Sequence, residues 1–457
     1  MAGSNAAIAV DVKEITVITP SEATPSHVLP LSTLDSQLFL RFTIEYLFLY
    51  RSPNNNNHSR HHTSARLKDA LSRALVPYYP LAGRVRPRPH SHSHSHSHSP
   101  SSSKSSASPK APYSSKPPAA PSPTSSSTAP SLPLSLPQPP LPPSPRRRPL
   151  LPPPLILQLT WLPDGGAALA LAFNHCIIDG IGTSLFLNSF ADLASGRSRL
   201  SDLLPLPVWD RHLPSLNSSS TTTPTPLTSS RPHPEFLKLP DPTGFAKRFS
   251  QEALVPTSVV FDAEKIAGMK KMAVSGGSKG GGYTGFEVVS GWVWRSWAGA
   301  LGMEVGTVRM VFSVNVRGRV VGPGGRGQGY YGNAFVLGCA AGRGREVVGW
   351  GGGAAEAVRR AKEAAREEAY VREVVEAVGA GACPDTVGVL VVSQWSRLGL
   401  DRVDFGMGRP LQVAPLSTDR YCLILPVYGQ RDAVRVVVAL PSSAVPKYDY
   451  LVRNPTR

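Results

Sequence analysis

The stretch from Val85 to Leu150 limits the possible folds more than any other feature, because it cannot supply a packed element. It holds 18 of the chain's 46 prolines, an HSHSHSHSHS tract, serine runs and PLPPSPRRRP. Proline fixes φ and removes a backbone donor, so neither a helix nor a central strand survives that spacing. No hydrophobic periodicity runs between Pro87 and Pro149. Such a segment buries too little apolar surface to offset its ordering entropy, and extended, solvated coil is expected for 85–150. The same bias is what a GC-rich coding region gives when read out of frame, and a genuine disordered insertion gives it too. The histidines of the tract are expected to hold no specific metal.

Any fold must therefore be assembled from the flanks. Residues 30–50, PLSTLDSQLFLRFTIEYLFLY, read as a turn and an apolar strand. SARLKDALSRAL (64–75) has helical spacing and is stopped by Pro77. LILQLTW (155–161), the turn PDGG and ALALAFN (168–174) predict a β-hairpin, followed by a helix from about Thr183 to Ala194. The polar stretch Ser215–Pro234 reads as an interdomain linker. It separates an N-terminal domain, 1–214, from a C-terminal domain, 235–457. The latter shows strand SVVF, a Gly-rich loop, helix FEVVSGWVWRSWAGAL, strand VRMVFSVNVR and one helix over about 353–378. Strands VGVLVVS, CLILPVY and AVRVVVAL follow. Strands and helices alternating in two halves mean α/β or α+β, and α/β is the expectation.

Charge and cysteine usage exclude some functions. The net charge is +17, but 85–150 contributes eight Lys or Arg and no acid, leaving +9 elsewhere. That remainder is not interleaved with stacking aromatics, so no nucleic-acid partner is expected; an enzyme meeting a polyphosphate cofactor fits as well. Cys176, Cys339, Cys383 and Cys422 form no CxxC pair, which argues against a disulfide framework or a zinc site. The start, MAGSNAAIAVDVKEITV, has no basic patch followed by an apolar run. No apolar run reaches the roughly 18 residues a membrane span needs. A cytoplasmic monomer without a membrane span is expected.

One short segment carries chemistry. LAFNHCIIDGIG (171–182) ends an apolar strand on His175, places Asp179 four residues later, and leaves on Gly180 and Gly182. HxxxD alone is weak, since roughly one chain in three of this composition would show it by chance. An apolar strand before and an amphipathic helix after put a general base on even terms with a hydrogen-bonded structural histidine. Two other patterns carry nothing. GxSxG at Gly276–Gly280 lies in a glycine-rich loop, and GxGxxG at Gly322–Gly327 precedes no helix.

NHCIIDG (174–180) resembles the HxxxDG box of the plant BAHD acyl-CoA-dependent acyltransferases, and VDFGMGRP (403–410) resembles their DFGWG box. LVPYYPLAGR (75–84), TGFEVVSGWVWR (284–295), VFSVNVR (311–317), YYGNA (330–334) and SQWSRL (393–398) resemble further blocks, in the family's order. The resemblance covers about 30–84 and 155–457. It implies a two-domain, chloramphenicol-acetyltransferase-like α/β fold, with mixed sheets flanked by helices and an active-site channel between the domains. His175 would be the catalytic base. Asp179, followed by Gly180, would turn away from substrate and pair with an arginine. Asp404, with Gly406 and Gly408, would build a structural box away from the reaction and salt-bridge Arg317. Ser393 and Trp395 would face the developing oxyanion, and Thr284 falls where coenzyme A makes contact. Acyl-CoA would be a co-substrate, with no permanently bound cofactor and no metal.

The chemistry agrees with that assignment. Acyl transfer from a thioester needs a base working near pH 7 and positioned donors for the oxyanion. Without a nucleophile elbow or a Cys–His pair, direct transfer is preferred to an acyl-enzyme. Strand alternation makes Cys176 a core residue and not a nucleophile. An ester-forming reaction on an alcohol is expected, and PLSTLDSQLFLRFTIEYLF looks closest to members using hydroxycinnamoyl-CoA or long-chain alcohols. An N-acyltransferase acting on an amine, or a non-catalytic binding partner, is the alternative. Two departures stand out: Met407 replaces the tryptophan of DFGWG, and 85–150 replaces strands that the family folds.

Overall fold

The structure, a computed structural model, describes residues 10–51, 57–85, 153–212, 233–241, 243–275, 282–321, 325–349, 352–416 and 421–454. Thr16–Arg84 and Pro152–Arg457 form one compact unit, and all that follows concerns it. The coil expected over 85–150, apart from Val85, lies outside the described residues, as do 215–232, the Gly276–Gly280 pattern and Gly322–Gly324. Contrary to the expectation of no helix there, a single short helical turn, Gly325–Gly329, overlaps the end of the second glycine pattern.

Ten strands form among the described residues: β1 (Thr43–Tyr50), β2 (Leu155–Trp161), β3 (Ala167–Asn174), β4 (Leu254–Phe261), β5 (Thr307–Asn315), β6 (Phe335–Arg343), β7 (Val389–Gln394), β8 (Gln412–Ala414), β9 (Cys422–Val427) and β10 (Gln430–Pro441). They make two sheets, ordered β2-β3-β1-β8 and β4-β10-β9-β7-β5-β6. In the first, β3 pairs antiparallel with β1 and β2, from Thr43 opposite Asn174 to Tyr50 opposite Ala167. The unbroken apolar run of β3 is what an inner strand requires, and Ala167–Phe173 are all buried. In the second, β5–β7 and β7–β9 are parallel and the other pairs antiparallel.

The second sheet is backed by the helix Gly285–Ala300, apolar over most of its surface and buried almost throughout. A helix with so little polar surface must be enclosed. Trp292, Trp294 and Trp297 fill its surroundings, and Trp292 Nε1 donates to the Val452 carbonyl at 2.9 Å. On the N-terminal side, the helices Asn57–Ala74 and Gly180–Ser195 pack together. Tyr78, from the LVPYYPLAGR block, lies 5.2 Å from the Phe186 ring with its hydroxyl 3.1 Å from Ser189 Oγ. Both flanks of the low-complexity stretch are thus built into the fold.

Three further features differ from the sequence reading. The helix expected over 353–378 is two, Gly353–Ala364 and Glu368–Gly379. Its Ala/Glu/Arg composition favours helix throughout, but Glu367 is extended, and the break falls at the exposed run Arg366–Glu368. Strand β6 escaped notice because glycines interrupt it. A Cβ at Gly338 would lie 2.8 Å from the Phe312 ring, so the glycine marks close packing across the sheet. Strand β8 is only three residues long; it comes from the C-terminal half yet pairs with β1 and completes the N-terminal sheet.

Candidate active site

The site begins where β3 ends. The His175 N–H donates to the Phe42 carbonyl at 3.0 Å, so the turn leaves the sheet still registered with β1. Asp179 then caps the helix Gly180–Ser195, its Oδ1 accepting from the Gly182 N–H at 2.9 Å. Side-chain caps of this kind satisfy orphan helix N–H groups. The same oxygen accepts from Arg317 Nη2 at 2.6 Å, and Oδ2 accepts from the Ala334 N–H at 3.1 Å. The carboxylate is committed to helix end, arginine and backbone, and no hydrogen bond joins it to the imidazole. Of the two glycines, Gly182 is required by packing: a Cβ there would lie 2.0 Å from the Tyr331 carbonyl oxygen. A Cβ at Gly180 would meet only the flexible Leu398 side chain, at 3.1 Å.

His175 is half-buried. Its Nδ1 is buried and makes no hydrogen bond of ordinary geometry. The rings of Phe42 and Phe335 lie 5.1 and 6.2 Å away. Burial holds its pKa below the ordinary histidine value, against an opposing pull from its own carbonyl, Asp179, Asn333 and Asp35. At neutral pH the ring is therefore an uncharged base, with Nε2 as its remaining nitrogen.

Around the turn lie three residues that sequence reasoning passed over: Asp35, Arg211 and Asn333, all buried. Asn333 Nδ2 donates to the His175 carbonyl at 2.8 Å, and Arg211 Nη2 donates to the Ile177 carbonyl at 2.6 Å. The available signal was an aspartate inside the apolar LSTLDSQLFL and an asparagine inside YYGNA, since a polar residue in an apolar block needs a partner.

The expected oxyanion donors lie at the C-terminal end of β7, where Ser393 pairs with Leu423 of β9. Ser393 is the penultimate residue of β7, half-buried, and Trp395 lies just past the strand, buried. The indole stacks on Tyr46 of β1 at 4.5 Å, while Phe42 lies against both His175 and Tyr421, 5.5 Å from the latter. Neither Ser393 nor Trp395 hydrogen-bonds His175. Thr284 is exposed and caps the helix Gly285–Ala300, exchanging hydrogen bonds with Glu287. Cys176 is buried, though a turn places it and not strand alternation. Its thiol donates to the Leu40 carbonyl at 3.3 Å, and burial pushes its pKa up to about 11.

The expected Asp404–Arg317 pair does not form. Arg317 lies just past β5, where it reaches the Asp179 cap and the Tyr330 and Gly332 carbonyls. Asp404 Oδ1 instead gathers the N–H groups of Gly406, Met407 and Gly408, at 2.7, 3.1 and 2.8 Å. Gly406 and Gly408 have φ of +80° and +82°, the left-handed backbone that lets this loop close on the carboxylate. The outer oxygen of Asp404 faces Arg197, at 3.5 Å, just beyond the helix that Asp179 begins. A 16-residue helix is about 24 Å long at 1.5 Å per residue, so the second box stands far from His175.

Among the described residues no group of three His, Cys, Asp or Glu could hold a metal ion, and no helix is long and apolar enough to cross a membrane.

A model described as the Transferase family matches residues 8–94 and 143–450. Fatty alcohol:caffeoyl-CoA acyltransferase of Arabidopsis thaliana is 28% identical, over 95% of this chain and 95% of its own length. Omega-hydroxypalmitate O-feruloyl transferase of the same plant is 27% identical, over 97% and 92%. The crystal structure of vinorine synthase superimposes with a TM-score of 0.62 at 20% identity, covering 94% of this chain and 95% of that one. That likeness bears on the fold, an α/β arrangement of two sheets flanked by helices.

Proposed function

Because the chain belongs to the BAHD family of plant acyltransferases and is an acyl-CoA-dependent O-acyltransferase, we propose that it moves a hydroxycinnamoyl-type acyl group to an alcohol acceptor with His175 as general base. The observation that carries this reading is the His175 ring, its Nδ1 buried without an ordinary hydrogen bond, on a turn whose aspartate is spent elsewhere. The two relatives whose names specify caffeoyl-CoA and a feruloyl group support the acyl class, and their fatty alcohol and hydroxypalmitate acceptors support a long-chain alcohol.

In the proposed step Nε2 takes the hydroxyl proton as the alcohol oxygen bonds to the thioester carbonyl carbon. The tetrahedral oxyanion takes hydrogen bonds from Ser393 and Trp395. When it collapses, the C–S bond breaks, and the imidazolium returns its proton to the coenzyme A thiolate. Transfer is direct, and no residue of the chain is acylated. The reaction belongs in a channel between the N- and C-terminal domains, with acyl-CoA meeting the chain around Thr284. Asp179, Gly180, Arg317, Asp404, Gly406 and Gly408 hold the fold and do not touch substrate. Four free cysteines support a reducing compartment, and a cytoplasmic monomer with no permanently bound cofactor completes the reading.

The test is release of free coenzyme A from caffeoyl-, feruloyl- and acetyl-CoA, each with long-chain alcohols, short alcohols and amines. Release is expected with a hydroxycinnamoyl donor and an alcohol together, and from neither alone. Thiol release before any acceptor is added would reveal an acyl-enzyme, release with amines alone would reveal an N-acyltransferase, and no release in any pairing would mark a binding partner.

A further inference from the structure

The turn that carries His175 is gripped at alternate carbonyls by groups that share one carboxylate. Asp35, in the segment before β1, is fully buried. Its Oδ1 accepts from the backbone N–H of Asn333 at 2.9 Å and from Nδ2 of the same residue at 2.8 Å. Its Oδ2 accepts from Ser32 Oγ at 2.7 Å and faces Arg211 Nε at 3.4 Å. Asn333 in turn donates to the His175 carbonyl, and Arg211 to the Ile177 carbonyl. The packing leaves no slack: a Cβ on Gly332 would fall 1.4 Å from Arg211 Nη1. Burying a carboxylate is costly unless it is paired and hydrogen-bonded, and here the partners that satisfy it are those that fix the turn.

We propose that Asp35 is a positioning residue for the general base, acting through Asn333 and Arg211 to set the orientation of the His175 turn. The proposal rests on the reading of His175 as that base. Catalytic groups must be held within about 0.5 Å of their working geometry, and a misplacement of 1 Å costs on the order of 10²-fold in rate. Asn333 bridges to β6, of which Phe335 also lies against the His175 ring, so clamp and cluster come from one strand end. Asp35 and Asn333 are also among the groups that hold the imidazole's basicity up against burial.

The experiment uses the full chain and two variants. Asp35→Asn keeps the shape but strands the Arg211 guanidinium; Asn333→Ala leaves the Asp35–Arg211 pair intact and is the variant expected to fold. Two quantities are measured on the folded fraction: kcat and KM for both substrates, and the titration of the His175 ring by NMR of 13C-labelled histidine, assigned by its absence in His175→Ala. In Asn333→Ala, kcat is expected to fall about 10- to 100-fold while KM stays within about threefold. The ring titration is expected to move to lower pH in both variants. A folded Asn333→Ala enzyme with wild-type kcat and an unmoved ring titration overturns the proposal. If His175→Ala itself turns over normally, the base reading fails instead, and the ring titration alone then decides whether Asp35 and Asn333 govern the imidazole.

Discussion

His175 and His233 are both largely withdrawn from water, yet their ring nitrogens meet opposite surroundings. Nδ1 of His175 is buried without a hydrogen bond of ordinary geometry, on a ring that lies against those of Phe42 and Phe335. His233 has Glu235 Oε1 3.2 Å from Nδ1 and Glu373 Oε2 2.8 Å from Nε2, with the Tyr370 ring 4.6 Å away. A carboxylate at each nitrogen favours the protonated ring of His233, and the hydrogen bonds, to Glu235 first and Glu373 after it, raise its pKa. Burial lowers that of His175. A histidine whose nitrogens are both spent on carboxylates fastens chain segments together. One that is desolvated and left uncharged can take a proton from something else.

The comparison breaks most readily at the bases themselves. His175→Ala is expected to lower kcat on the order of 10²–10⁴-fold with acyl-CoA binding little changed. His233→Gln should leave kcat per folded molecule within about twofold, since it removes no group near the turn. Coenzyme A release and equilibrium acyl-CoA binding on the two variants check this. Near-normal turnover in His175→Ala would make it the second structural histidine.

What separates the two residues was only half visible in the sequence. His175 announced itself through local order: an apolar strand, an imidazole, an aspartate at helix-cap distance and glycines behind it. His233 did not, because Glu373 lies 140 residues away and His233 itself falls in a polar stretch that reads as linker. The same asymmetry runs through the fold. The β2–β3 hairpin and the apolar Gly285–Ala300 helix follow from periodicity within a dozen residues. Strand β8 and the partner of Arg317 depend on packing between distant segments. Two aspartates were available to one arginine, and only the geometry chooses Asp179 over Asp404.

That choice supplies the next expected effect. Asp179→Asn leaves the buried Arg317 guanidinium without its charge partner, a loss of about 3–5 kcal/mol by analogy with broken buried pairs. Thermal unfolding and activity should fall together, with kcat of the remaining folded enzyme much less affected than in His175→Ala. A variant that is fully stable but inactive would move Asp179 into the chemistry beside His175. Asp404→Asn is expected to be milder, because the Asp404–Arg197 pair is partly exposed and screened.

The pH–rate profile sharpens the contrast at lower cost to the protein. With the His175 pKa lowered by burial, the acid limb of kcat/KM should lie below about 6.5, the ordinary histidine value. It should be unmoved by His233→Gln. An acid limb above that value would mean that charge, not burial, governs the working imidazole.

The smallest expected effect is on stability and comes from His233. Its folded pKa is raised, by the hydrogen bond to Glu235 first and by Glu373 after it, with burial opposing. The folded state therefore binds a proton more tightly than the unfolded chain. The stabilisation is fully present below the unfolded value of about 6.5 and is lost as pH rises through the folded pKa. His175 has the opposite sign: its contribution is present above the unfolded value and is lost as pH falls through the lowered folded one. Wild-type protein should thus lose Tm on going from mildly acidic to mildly alkaline buffer. In His233→Gln that alkaline-side slope should disappear, because an amide does not titrate, while the acid-side slope from His175 remains. The segment His233–Leu237 would still be pinned by Arg309, which donates to the Pro234 and Leu237 carbonyls at 2.7 and 2.6 Å, so the variant should fold. An unchanged alkaline slope in His233→Gln would mean that the two carboxylates hold this histidine for its shape and not for its charge.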